Sequence, residues 1–443
     1  MKGNVNRRTL IKGAAGAVAA VPAIKASKTF AAPAVIQDTS SDTKIVYWGS
    51  FEDGSANGEA EQGVVDQFNA AGLGVQVERQ YQGNYEDTAQ KLTAAVAAKQ
   101  TPDVSLLSDV WWFRFYLNSL LAPLNDLIAA SELDTTDYVD SLINEGNRDG
   151  IQYWMPMARS TPLFYYNVEA FNEVGLTEAP TNWSQIVDVA QDLVRKDGDT
   201  VTRAAFVHPS AGSYIAWLFQ CVTWQYEGRY SDEEFNIMIN QAEAVEAGEF
   251  YRSSVADGWA VPVEVVRTDF INGLTASMMA STGDLGAVTR EATFEFKTAF
   301  LPEAKTFGCC TGGSGLAILA DKSPEQQAAA FEFIKFATSP ETTSFWSQNT
   351  GYMPVRKSAR ENETMVKFFE ENPNFKTAVD QLELTKPQDS ARVFIPNGDQ
   401  IIGGGLEKIT INKTDAQSAF DEVAAILEEE KVPVLEALEA LQG

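Results

Sequence analysis

The chain has 443 residues, of which 34 are basic and 61 acidic, giving a formal net charge of −27. A protein this negative repels nucleic acid and anionic membrane surfaces, which sets both aside as partners. A single histidine (His208) and three cysteines (Cys221, Cys309, Cys310) leave no material for a histidine-based triad, a multi-histidine zinc site or a fully paired disulfide framework.

In chain order, the first signal is Asn6-Arg7-Arg8-Thr9-Leu10-Ile11-Lys12, followed by an apolar stretch over 13–24. Paired arginines before a short apolar core read as a twin-arginine export signal, assigned to residues 1–34. The core is about a dozen residues, against the roughly 20 that a membrane-spanning helix needs. Small residues at Thr29-Phe30-Ala31 and Ala32-Pro33-Ala34 offer cleavage sites. No cysteine precedes Cys221, so no lipid anchor is expected. Six of the basic residues and none of the acidic ones fall in 1–34, so the remainder is more acidic still. The expected location is periplasmic or extracellular.

From Lys44 to Asp109 the pattern alternates. Lys44-Ile45-Val46-Tyr47-Trp48 reads as a strand, and 55–70 as a helix carrying Val64, Val65 and Phe68. Val75-Gln76-Val77-Glu78 is a second strand, and 86–99 a helix with Ala89, Leu92 and Val96 on one face. Val104-Ser105-Leu106-Leu107 is a third strand. Strand–helix repetition predicts a parallel sheet covered by helices, with ligands bound beyond the strands' carboxyl ends. That places the loops at 49–54, 82–86 and 108–112 on one rim. Further on, 163–167 and 204–207 read as strands, and Asn182 caps a helix through Trp183, Ile186, Val189 and Leu193. A strand is expected at 315–319, and Ser323-Pro324 opens a helix to about Thr338. The stretch 415–441 is helical, with a break expected at Pro433. No Gly-x-Gly-x-x-Gly or P-loop pattern occurs, and the cysteines read as small packed residues.

The segments Tyr47-Trp48-Gly49-Ser50-Phe51-Glu52, Tyr81-Gln82-Gly83-Asn84-Tyr85-Glu86 and Ser160-Thr161-Pro162-Leu163-Phe164-Tyr165-Tyr166-Asn167 occur here in one order with several later ones. These are Phe270-Ile271-Asn272-Gly273, Ala280-Ser281-Thr282-Gly283, Gly312-Gly313-Ser314 and Asn349-Thr350-Gly351-Tyr352-Met353-Pro354-Val355. Over roughly 43–430 the chain resembles the extracellular solute-binding proteins (family 1) of ABC importers. Within them it is most similar to the glycerol-3-phosphate and glycerophosphodiester binders. The resemblance implies an α/β, two-lobed periplasmic binding protein fold (type II, maltose-binding-protein-like) with an interlobe cleft. It implies lobes of 43–158 plus 314–352 and of 163–308 plus 354–440, with hinge crossings near 159–163, 310–315 and 352–355. It further implies a monomer without cofactor or metal that captures a small polar solute and delivers it to membrane permease subunits.

Carried over residue by residue, the ligand set is Tyr85, Asp109, Ser160, Ser281, Gly312, Gly313, Tyr352 and Arg392. Tyr85 stands for the binding tyrosine of the Gly-Asn-Tyr-Glu loop. Asp109 stands where the family has a glutamate, one methylene longer. Ser160 and Ser281 match two hydroxyl donors. Gly312 and Gly313 match paired glycines whose backbone approaches the solute closely. Tyr352 follows the glycine turn, and Arg392 matches a late arginine whose forked donors suit phosphate. The family's closely spaced tryptophan pair is not kept. Tyr214 or Trp217 substitutes for one member, and Trp111 with Trp112 offers a second aromatic wall. Arg159 departs from the small polar residue usual before Ser160 and is either a second anion contact or a hinge ion-pair partner. As ordinary structural residues, the tyrosines would be turn aromatics, the serines caps, the glycines a tight bend and Arg392 a surface charge. A sugar-binding protein, an exported carboxylate glycosidase and an adhesion protein are the competing functions, though no acid pair has defensible glycosidase spacing.

Overall fold

The computed structural model describes residues 42–442 apart from residue 211; the export signal assigned to 1–34 lies outside the described residues. The chain lays down strands β1 (Thr43–Gly49), β2 (Val75–Tyr81), β3 (Val104–Ser108) and β4 (Met155–Ser160). After Thr161 it continues as β5 (Pro162–Asn167), β6 (Thr200–Pro209), β7 (Ala260–Val263), β8 (Thr275–Ser281) and β9 (Phe296–Ala299). It then returns as β10 (Gly312–Ile318). Two separate sheets result, ordered β2-β1-β3-β10-β4 and β7-β6-β8-β5-β9, with the short strand Arg195–Asp197 paired to β6.

The two sheets share one design. In the first, β1 pairs in parallel with β2 and β3, whereas β10 is antiparallel to both β3 and β4. In the second, β6 pairs in parallel with β7 and β8, whereas β5 is antiparallel to β8 and β9. β3, β4 and β5 are buried along their whole length, as expected where helices cover both faces. The β4–β5 junction at Thr161 passes directly from one sheet to the other. The backbone returns between β9 and β10, and passes again after the helix Pro340–Thr350 to reach the helix Pro373–Gln381, which packs on β9.

Helix starts follow local chemistry. Asn84 accepts from the N–H groups of Glu86 and Asp87 and forms a capping box with Asp87. Asn182 does the same with Gln185 at the head of Trp183–Leu193. Ser323 caps Pro324–Ala337, with the proline at the first helical position. At the C-terminus the expected break falls at Lys431, between the helices Ala416–Glu430 and Val432–Gln442. Pro433 itself lies in the first turn of the second helix, where its missing N–H forfeits no helical bond.

The three cysteines are wholly buried free thiols. Cys309 Sγ lies 2.8 Å from Thr161 Oγ1, and Cys310 Sγ 3.5 Å from Cys221 Sγ. His208 is a core residue, its Nε2 2.8 Å from Ser254 Oγ and its ring against Tyr251. Burial lowers its pKa from 6.5 to about 3.

Two predictions follow from local environments. Below pH 6.5 the folded protein binds fewer protons at His208 than the unfolded chain does. Its stabilising contribution is therefore complete above pH 6.5 and lost as pH falls toward 3, at up to about 1.4 kcal/mol per pH unit. Urea denaturation between pH 6 and 4 is expected to give a shallower loss for His208→Phe than for the wild type; equal slopes would contradict this. The helix Gly398–Thr410 holds three consecutive glycines. A Cβ on Gly403 would meet the Gly212 backbone and one on Gly405 the Val423 side chain, but one on Gly404 meets nothing within 4 Å. Gly404→Ala is expected to stabilise the protein by about 0.5–1 kcal/mol in the same assay.

Candidate functional site

A cavity of about 570 Å³ lies between the two sheets. The strand directions explain its lining. β4 and β8 contribute their last residues, Ser160 and Ser281, and the chain leaving β3 contributes Ser108 and Asp109. β10 runs the opposite way to β3 and β4, so its beginning, Gly313, arrives at the same edge. From the second sheet's side, the chain leaving β6 brings Gly212, Ser213 and Tyr214 at the head of the helix Gly212–Gln225.

Of the residues singled out in the sequence, Tyr85, Asp109, Ser160, Tyr214, Trp217, Ser281, Gly313, Tyr352 and Arg392 all line this cavity. Gly312 lies behind the wall instead. The position of its absent Cβ is 2.5 Å from the Trp217 indole, so this glycine lets the ring approach the strand closely. Gly313 adopts φ +108°, and a Cβ there would stand 2.0 Å from the Ala158 carbonyl oxygen. The Trp111–Trp112 pair also divides. Trp111 lines the cavity, but Trp112 is core, stacked on Trp154 and covered by the Arg148 guanidinium, so neighbouring residues on a helical turn do not make one wall. Arg159 is fully buried in an ion pair with Glu145 and over the Trp154 ring, and is not part of the lining.

One wall is aromatic. Tyr85, placed by the Asn84 cap, packs edge-on against Phe51 at 5.9 Å, and Phe51 meets Tyr352 at 5.8 Å. Tyr352 stacks on Trp346. The Tyr85 hydroxyl accepts from Ser314 Oγ at 3.1 Å and lies 3.4 Å from the Tyr352 hydroxyl. Burial raises the Tyr85 pKa to about 12, so it remains a neutral donor through the physiological range. On the opposite wall, the Tyr214 hydroxyl donates to Asp284 at 3.0 Å and accepts from the Ser281 N–H at 2.7 Å. Arg267 pairs with the other oxygen of Asp284 at 2.8 Å. Trp217 donates to the Thr311 carbonyl at 3.0 Å.

At the floor are Asp109 and Arg392, 8% and 4% exposed in their side chains and 4.0 Å apart. Three buried polar atoms on lining residues have no protein partner: Asn57 Oδ1, Ser108 Oγ and Arg392 Nε. Such atoms are costly unless a solute satisfies them, at about 1–3 kcal/mol each. Exposed Glu86 and Glu264 and buried Asp399 complete the lining. Sequence reading placed Ser108 only within the 108–112 rim loop and did not single out Asn57, Arg267 or Asp284, which no local pattern marks. Among the described residues no cluster of three or more metal-ligating side chains occurs.

Comparison with known proteins finds similarity over most of the chain. The family model for bacterial extracellular solute-binding proteins matches residues 63–377. The sn-glycerol-3-phosphate-binding periplasmic protein UgpB of Escherichia coli K12 is 26% identical over 404 residues, covering 86% of this chain and 90% of that protein. The crystal structure of UgpB from Mycobacterium tuberculosis in complex with glycerophosphocholine superposes with a TM-score of 0.83 at 37% identity, covering 89% of this chain and 99% of that one. The cyclic alpha-maltosyl-1,6-maltose binding protein of Arthrobacter globiformis shares the fold, with a TM-score of 0.73 at 22% identity over 88% of this chain and 100% of that one.

Gly313→Ala is expected to lower stability by 2 kcal/mol or more, because it adds both a positive-φ penalty and a backbone collision; ~1–3 kcal/mol is typical of such strain alone. Denaturant titration checks this, and a loss under 0.5 kcal/mol would show that β10 shifts without cost.

Proposed function

The chain belongs to the bacterial extracellular solute-binding proteins, the substrate-capturing subunits of ABC importers, and from that premise we propose that its solute is glycerol 3-phosphate or a glycerophosphodiester. The observation that carries this reading is Arg392: a guanidinium on the cavity floor, almost wholly buried, with its Nε lacking a protein partner. Phosphate oxygens suit such a fork of donors. Asp109, an acceptor 4.0 Å away, suits the adjoining glycerol hydroxyls. Ser160, Ser281 and Tyr85 add neutral donors, and Tyr214, Trp217 and Trp111 supply apolar faces.

The mechanism is capture without chemistry. The lobes 43–158 plus 314–352 and 163–308 plus 354–440 close about the backbone passages near 159–163, 310–315 and 352–355. A solute touching both lobes binds the closed form better and shifts the population toward it. The closed form is what the permease subunits receive. Residues 1–34 serve as a twin-arginine signal for export, and the exported protein acts as a monomer. Micromolar binding needs about 8 kcal/mol. One charge-assisted hydrogen bond contributes on the order of 1.5–3 kcal/mol, so several of these donors must converge.

A mono- or oligosaccharide is the second reading, favoured by the aromatic wall of Tyr85 and Tyr352, backed by Phe51, and by the acidic residues of the lining. Calorimetry with glycerol 3-phosphate, glycerophosphocholine and a panel of disaccharides separates the two. Binding of a phosphate-bearing compound is expected, with Arg392→Ala weakening it tenfold or more. Binding of a disaccharide alone, or an Arg392→Ala affinity equal to wild type, would overturn the reading.

A further inference from the structure

Gln388 is not on the cavity lining, yet its amide stands between the two opposite charges of the floor. Its Nε2 donates to Asp109 Oδ2 at 2.5 Å, and its Oε1 accepts from Arg392 Nη1. The amide fits in only one orientation, carbonyl toward the cation and NH₂ toward the anion, so the charges fix it. The backbone beneath is held independently. The buried Asp389 carboxylate accepts from Arg229 Nε at 2.7 Å, the Tyr230 N–H at 2.7 Å and Trp224 Nε1 at 3.2 Å, while the Asp389 N–H donates to Gln220 Oε1 at 3.1 Å. Gln388 and Arg392 sit four residues apart on this clamped turn. Asp109 comes from the other sheet, its N–H donating to the Gly313 carbonyl at 2.9 Å.

We propose that Gln388 is a positioning residue of the cleft: an uncharged spacer that prevents Arg392 and Asp109 from closing into a direct ion pair, leaving the guanidinium for an anionic group and the carboxylate for neighbouring hydroxyls. The inference rests on the phosphate reading of the site and adds how that site is kept receptive. A buried arginine and aspartate in direct contact form a bidentate, charge-assisted pair, and a solute would have to break it before binding. With the amide between them, each charge is met by neutral partners only. Arg392 Nε has none, and Arg392 Nη2 reaches only Ser213 Oγ at 3.5 Å. The pair is thus held in place without being used up. Nothing in the local sequence marks Gln388, because its two partners lie on different sheets' sides of the cleft.

The test uses the whole chain and glycerol 3-phosphate by calorimetry. Gln388→Glu keeps size and acceptor but replaces the donor facing Asp109 with a like charge and gives Arg392 a full counter-ion; it is expected to weaken binding tenfold or more. Gln388→Leu removes both contacts and is expected to weaken it fivefold or more. In the Asp109→Asn background there is no anion for Arg392 to collapse onto, so there Gln388→Leu should cost less than twofold. Wild-type affinity in both single variants, or an equal fold-loss in both backgrounds, would overturn the proposal, since a merely structural glutamine would not distinguish them. Should Gln388→Leu fail to fold, the isosteric Gln388→Glu still decides. A ligand-free crystal structure of a Gln388 variant gives an independent answer. The Arg392–Asp109 gap of 4.0 Å is expected to close to a direct contact in Gln388→Leu, and an unchanged gap would sink the inference. Absence of any wild-type binding to phosphate-bearing solutes would instead overturn the proposed function, and the crystal structure would still rule on Gln388.

Discussion

The cleft depends on where the backbone changes sheets. β4 ends at Ser160 and β5 begins at Pro162, so a single residue, Thr161, separates two sheets that share no strand. The other passages are bonded to this one. The Met353 N–H donates to the Arg159 carbonyl at 2.8 Å, Thr161 Oγ1 donates to the Cys310 carbonyl at 3.1 Å, and the Thr282 N–H donates to the Thr161 carbonyl at 3.1 Å. Because β4 enters this knot and β5 leaves it, the edge where the first sheet's parallel strands end must face the corresponding edge of the second. Ser160, Ser281 and Gly313 reach the cavity from those two edges, and helices bring Tyr85, Trp217 and Arg392 to it.

Close packing at the knot sets the residue types there. Gly313 runs against the Ala158 carbonyl and Gly312 against Trp217, so β10 tolerates no side chain at either position. Trp217 in turn borders the cavity with Tyr214, 5.8 Å away between ring centres. The same two glycines therefore serve strand packing and cleft shape, one by lining the cavity and one by admitting the wall that does. Just before the strand, the buried thiols of Cys309 and Cys310 pack against Thr161 and Cys221.

Electrostatics work at two ranges. The chain as a whole is strongly acidic, which opposes anions at a distance, but screening limits that field to about 8–10 Å at moderate salt. Inside the cleft the outcome is local. Arg267 is committed to Asp284 and Arg159 to Glu145, whereas Arg392 is held beside Asp109 through an amide. The floor therefore combines a strong donor and a strong acceptor, the pairing suited to a solute that carries an anion next to hydroxyls.

The sequence by itself determined what depends on neighbours along the chain. Strand–helix alternation, the caps at Asn84, Asn182 and Ser323, and the glycine and tyrosine motifs all rest on interactions within a few residues, which a linear text records. The site residues Tyr85, Asp109, Ser281 and Arg392 were legible through motifs shared with a family, not through spacing. Tertiary structure alone decided the rest. It separated Trp111 from Trp112, took Arg159 into the core, set Gly312 behind Trp217, and brought Asn57, Arg267, Asp284 and Gln388 to the cleft. The contacts that close the cleft join residues far apart in the chain, as with Gln388 and Asp109, separated by 279 positions. No periodicity carries that distance; only the direction of each strand as it meets the shared edge does.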